Sequence, residues 1–121
     1  SKASSEYRKL FKKLKIKTKK VSSTITLELS KIICDTSYYG WLINYAQLSN
    51  MIAINHQVDY DEMWSFSDEI HKYLKNRPKL YPGVIGGHCV IPNLDLIHNQ
   101  SLDLIKNIDK KYRNKIKKNN T

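Results

Sequence analysis

Apolar positions near the amino end fall at Tyr7, Leu10, Phe11 and Leu14, with lysines between them. That spacing predicts a helix over Glu6–Leu14. Lys15–Val21 then alternates, with Ile16, Thr18 and Lys20 on one side and Lys17, Lys19 and Val21 on the other. The β-branched content predicts one short, exposed strand. Ser22-Ser23-Thr24 offers an N-cap for a helix beginning there. From Thr24 to about Val58 the only Gly or Pro is Gly40. Ile25, Leu29, Ile32, Ile33, Leu42, Ile43, Ala46, Leu48, Met51, Ile52 and Ile54 recur through this stretch. They predict a long helix, apolar on more than one face, with Gly40 as the place where it would break. Such a helix must be covered by other helices or by a second chain. Cys34, flanked by Ile32 and Ile33, is expected to be a small buried hydrophobe.

Asp59, with Glu62 three residues on, predicts the capped start of another helix, whose face is Met63, Phe66, Ile70 and Leu74. Asn76–Pro92 reads as a loop holding Gly83, Gly86 and Gly87 and all three prolines. Its apolar residues, Leu80, Tyr81, Val84, Ile85, Val90 and Ile91, argue against disorder and for a functional loop. Asn99–Lys118 predicts a final helix with Leu102, Ile105, Ile108, Tyr112 and Ile116 on one side. The fold class expected is therefore mainly α, with one short N-terminal strand.

The length of 121 residues allows one domain and one core. Lys plus Arg number 21 against 11 Asp plus Glu, a net charge of +10 that points to anionic partners. Only Arg8, Arg77 and Arg113 are arginine, the residue best suited to bidentate recognition of phosphate or guanine. The Lys12–Lys20 cluster and the Lys106–Lys118 helix leave a basic nucleic-acid-binding module as the lesser alternative. No zinc finger, helix-turn-helix glycine turn or RNA-binding aromatic signature accompanies them. No apolar run approaches the ~20 residues of a membrane span, and neither a membrane partner nor a signal peptide is expected. Two cysteines without Cys-x-x-Cys spacing suggest a reduced, cytoplasmic setting. His56, His71, His88 and His98 show no ligand spacing, and no metal is expected.

The chemistry concentrates in Gly83-Val84-Ile85-Gly86-Gly87-His88-Cys89-Val90-Ile91-Pro92. Glycines let a ligand approach the main chain. A thiol placed after them is either a nucleophile awaiting a thiolate-stabilising neighbour or a buried cysteine in a tight turn.

This segment resembles the Gly-x-x-Gly-Gly-His-Cys-[Ile/Val]-x-Pro signature of the UDP-glucose/GDP-mannose dehydrogenase family. Upstream, Leu27-Glu28-Leu29-Ser30-Lys31-Ile32-Ile33-Cys34-Asp35-Thr36 is similar to that family's Ala-Glu-x-x-Lys-Leu-x-x-Asn-Thr helix. Order and separation fit as well, over roughly residues 6–112. The resemblance covers the family's central helical domain alone and implies a fold like the C-terminal domain of 6-phosphogluconate dehydrogenase. Residues 1–23 would then be the end of a preceding Rossmann domain, 24–98 the central domain with the Gly-Gly-His-Cys loop, and 99–121 a C-terminal helix. The family oxidises the C6 alcohol of a UDP- or GDP-sugar to a uronic acid with NAD. No Gly-x-Gly-x-x-Gly follows a strand here, so this chain alone is expected to hold no cofactor.

By the resemblance, Cys89 is the nucleophile that adds to the intermediate aldehyde, and Lys31 stabilises the oxyanion. Without the second motif, Lys31 reads as a solvated surface lysine. Gly83, Gly86 and Gly87 would cradle the sugar through their backbone. His88 is either a base for the thiol or a histidine bonded to backbone. Two positions depart from the family pattern. Asp35 stands where the family has asparagine, and would partly neutralise Lys31. Asn93 stands where many members carry an aspartate that orders the hydrolytic water. The family also implies a homodimer, and Tyr38, Trp41, Leu42, Tyr45 and Leu48 exceed what two short partner helices can cover.

Overall fold

A computed structural model describes residues 1–120. It is mainly helical, and no strand occurs among the described residues. α1 spans Lys2–Lys13 and buries none of its residues. Lys15 adopts φ 57°, and the Ile16 amide closes on the Phe11 carbonyl at 2.9 Å, ending the helix. The strand expected over Lys15–Val21 does not form. A strand needs a ladder partner, and none of the described residues forms one. Thr121, the last position of the expected C-terminal helix segment, lies outside the described residues.

The long helix forms, but not as one regular coil. α2 covers Thr24–Leu29, capped by the Ser23 hydroxyl on the Thr26 amide. Ser30–Ser37 winds as a π-helix, and α3 continues over Tyr38–His56. The Ser30 and Ser37 hydroxyls donate to the Thr26 and Ile33 carbonyls, four residues back (2.7 and 3.2 Å). Such back-bonding occupies carbonyls that the backbone ladder would use and favours a widened turn. Gly40 does not break the helix. A Cβ there would lie 3.0 Å from Val90 Cγ1 and 3.2 Å from Ile105 Cγ2, so glycine serves a close approach of neighbouring elements.

The helix expected from Asp59 is divided into α4, Tyr60–Ser65, and α5, Asp68–Leu74. The Asp59 cap is present, its carboxylate accepting from the Glu62 amide at 2.8 Å. Ser65 and Ser67 donate to the Glu62 and Trp64 carbonyls and turn the chain between the two. That break throws Phe66 outward, 83% exposed, off the face it was expected to share with Met63 and Ile70. Within the expected loop, Val90–Leu94 forms α6, where Pro92 is tolerated in the first turn. α7 runs over Gln100–Asn119 behind the Asn99 cap, packs along α3 and also touches α6.

The core is Ile85, Val90, Leu94 and Ile105, with Ile43, Ile91 and Leu102 against it. Ile85 and Val90 flank the Gly-Gly-His-Cys segment. The loop is therefore pinned to the core at both of its ends. No helix among the described residues is long and apolar enough to cross a membrane.

Candidate functional site

The π-helical segment and α6 pack against each other, although they are far apart in sequence. Lys31 lies on the first and Cys89 immediately precedes the second. Lys31 forms an ion pair with Asp35, one turn along the same segment. Its pKa is raised above the ordinary lysine value, chiefly by the hydrogen bond and charge of Asp35 and also by the charge of Cys89. The lysine therefore stays charged. Both Lys31 and Cys89 are open to solvent.

Asn93 sits one turn into α6, and its Nδ2 donates to the Cys89 carbonyl at 2.6 Å. It tethers the backbone of Cys89. The four residues singled out for catalysis, Lys31, Asp35, Cys89 and Asn93, are therefore gathered at one junction of two elements. Gly83, Gly86 and Gly87 meet nothing where a Cβ would stand. Only Gly87, at φ +78°, is required by local conformation. His88 is exposed and makes no hydrogen bond among the described residues. Cys34 is exposed, not buried as its neighbours suggested. The widened turns of the π segment bury Ile32, Thr36 and Ser37 and leave position 34 facing outward.

Sequence reasoning missed the polar network beneath the loop. The buried Asp109 carboxylate accepts from Gln47 Nε2 (2.7 Å), the Ile85 amide (2.8 Å) and Arg113 Nε (2.7 Å). Arg113 also donates to the Ile85 carbonyl at 2.6 Å, and Gln47 Nε2 to the Gly83 carbonyl at 2.7 Å. Asn44 Nδ2 holds the Gln47 side-chain oxygen at 3.0 Å and the Ile105 carbonyl at 3.1 Å. The available signal was weak: polar residues at positions 44 and 47 of an otherwise apolar helix.

On its other side α3 presents Tyr38, Trp41, Tyr45, Leu48 and Ile52, all exposed. The steps between them are three and four residues, the spacing of a seam that another helix covers. A groove of about 320 Å³, lined by Tyr45, Ser49, Ile52, Met63, Trp64, Phe66 and Ser67, continues that stripe.

Charge is unevenly placed. The first twenty residues hold nine Lys or Arg against one acidic residue, and the rest of the chain holds twelve against ten. No cluster of three His, Cys, Asp or Glu that could hold a metal ion occurs among the described residues. With no strand among the described residues, they present no strand-to-helix turn of the kind that carries a dinucleotide. No family model, curated protein or solved structure matches the chain.

Proposed function

We propose that this chain is the catalytic-cysteine and dimerisation domain of a longer NAD-dependent nucleotide-sugar 6-dehydrogenase, acting on a UDP- or GDP-sugar. The observation that carries the reading is the convergence of Lys31 and Cys89. Two motifs 58 positions apart lie on elements that pack against each other, the π segment and the start of α6.

In this reading the Cys89 thiolate attacks the carbonyl carbon of the aldehyde intermediate. A carbon–sulfur bond forms, and the carbonyl electron pair moves to oxygen. The Lys31 ammonium donates to that oxyanion, which has more charge to stabilise than the starting aldehyde. Asp35 holds Lys31 in place and offsets part of its charge. Asn93 keeps the Cys89 backbone still but, as an amide, takes no proton from water. When the later thioester is hydrolysed, water adds, the carbon–sulfur bond breaks and the thiolate leaves. The hydride acceptor belongs to a part of the enzyme outside this chain. The exposed stripe on α3 would be covered by a second copy, completing a homodimer.

The test uses the longer protein that contains this segment. Cys89→Ser should abolish conversion of its nucleotide sugar to the uronic acid, while Cys34→Ser should not. Equal activity in Cys89→Ser would refute the reading and favour a dimerisation scaffold without catalysis. The purified 121-residue chain is expected to produce no NADH from any nucleotide sugar, because hydride transfer needs a positioned nicotinamide. The nucleic-acid reading is favoured by one observation, the nine basic residues among the first twenty. Retention on immobilised DNA that survives physiological salt would support it instead.

A further inference from the structure

We infer that Gln47, Asp109 and Arg113 form a positioning clamp that fixes one foot of the reactive-cysteine arch at Ile85, and so holds Cys89 beside Lys31. The inference rests on the role proposed for Cys89. It adds three residues, two of them on α7, which the motifs do not include.

The arch is Gly86-Gly87-His88-Cys89, strung between Ile85 and Val90, both buried. All four arch residues are exposed, and nothing lies within 4 Å of a Cβ built on either glycine. Packing therefore does not hold the arch; its two feet do, with the Asn93 bond to the Cys89 carbonyl. The Val90 foot is held by apolar contact in the core, beside Gly40 and Ile105. The Ile85 foot is held differently. Its amide donates to Asp109 and its carbonyl accepts from Arg113, so both backbone groups are bound to one side-chain pair. Nearby in the same limb, the Gly83 carbonyl accepts from Gln47, which also donates to Asp109.

An ion pair whose arginine is partly exposed adds little stability of its own. Charge-assisted, two-armed hydrogen bonds do impose direction and distance on what they hold. Asp109 and Arg113 sit one turn apart on α7, and Gln47 on α3, so the limb is referred to the two longest helices. Lys31 belongs to the π segment that leads into α3. Its distance to Cys89 is thus set through α3 on one side and through the clamped limb on the other. These three are positioning residues: none of them touches the sulfur.

The test measures alkylation of Cys89 and Cys34 in the folded 121-residue chain across pH, with mass spectrometry assigning each thiol. Arg113→Lys keeps a cation for Asp109 and removes the second arm to the Ile85 carbonyl. Arg113 is partly exposed, so this variant should fold, as circular dichroism would check. Asp109→Asn is the second variant, keeping an acceptor for the Ile85 amide. In Arg113→Lys the Cys89 rate at neutral pH should fall about threefold or more, the size of coupling within one network. The Cys34 rate should stay where it is. A folded Arg113→Lys chain with the wild-type Cys89 rate overturns the clamp. Lys31→Ala in the otherwise wild-type chain separates the two ideas. If it leaves Cys89 unchanged while Arg113→Lys alters it, the clamp stands and the paired role of Lys31 and Cys89 falls.

Discussion

The two faces of α3 reverse the usual arrangement of a helix in a small domain. The face toward α7 and the cysteine loop is small and polar: Gly40, Asn44, Ala46, Gln47 and Ala53 are buried. The opposite face carries the large apolar side chains, with Tyr38 60% and Tyr45 58% exposed. Burial by size and hydropathy alone would turn the helix over. The inner face is polar because it holds loop backbone, whose amides and carbonyls need partners once they leave water. The outer face is covered only in part, by α4. On the proposed reading a second copy covers the rest, and the two faces then serve position and association.

The sharpest way to break that contrast is at its polar centre. Asp109→Ala leaves the Ile85 amide without its partner and takes one partner each from Gln47 and Arg113. It should cost about 3 kcal/mol of folding free energy, read from urea unfolding. A loss below about 0.5 kcal/mol, the level of an ordinary surface change, would mean that the inner face is not held by this network. Gly40→Leu tests close approach on the same face. Overpacking against Val90 and Ile105 should cost about 1–3 kcal/mol.

On the outer face the expected effect moves from folding to assembly. Trp41→Ser should change monomer stability by less than about 0.5 kcal/mol. It should weaken dimerisation about tenfold or more, measured by light scattering over a concentration series. A wild-type chain that stays monomeric at micromolar concentration would remove the association half of the contrast.

The smallest effect lies where the outer face is partly covered. Trp64 of α4 packs edge-on to Tyr45 and tilts against Tyr60, with centroids 6.3 and 6.2 Å apart. The Tyr60 hydroxyl donates to the Leu80 carbonyl at 2.6 Å. Burial is the main cause that pushes its pKa up to about 12 from the ordinary 10. Between those values the folded state keeps a proton that the unfolded state has lost. The stabilising contribution is whole below pH 10 and declines as pH rises toward 12. Urea midpoints of the wild type and Tyr60→Phe should therefore draw together over that window. Parallel curves would mean that the hydroxyl is not held as described.

Much of the fold was legible because it rests on periodicity. The long helix, the Asp59 cap and the Asn99-capped final helix follow from spacing and capping chemistry. The strand was misread because alternation reports a preference for extended backbone and says nothing of a ladder partner. The break at Phe66 and Ser67 was hidden because serine hydroxyls bond to carbonyls that a helix would otherwise use, at no cost to the apolar pattern. At the site, Lys31, Asp35, Cys89 and Asn93 were singled out because two local motifs name them, and the packing of the π segment on α6 brings those motifs together. Gln47, Asp109 and Arg113 were not, since a charged pair one turn apart on a lysine-rich helix looks like any solvated pair. Cys34 was misplaced because its apolar neighbours suit either face, and a π segment shifts which one faces inward.

That segment separates two kinds of sensitivity to change. A π-helix is a helix with a residue to spare, so losing one residue can let it relax into a regular α-helix. A one-residue deletion between positions 30 and 37 would then leave the rod intact. Everything upstream would rotate by about 100°, the angular step of one helical residue. α3 and its grip on α7 would be unaffected, and the variant should melt close to the parent. The Lys31 side chain, however, would swing out of register with Cys89. The same deletion inside α3 would instead slide Gln47 off Asp109 and unfold the domain. Length changes therefore divide this helix into a stretch where they are read as lost chemistry and a stretch where they are read as lost structure.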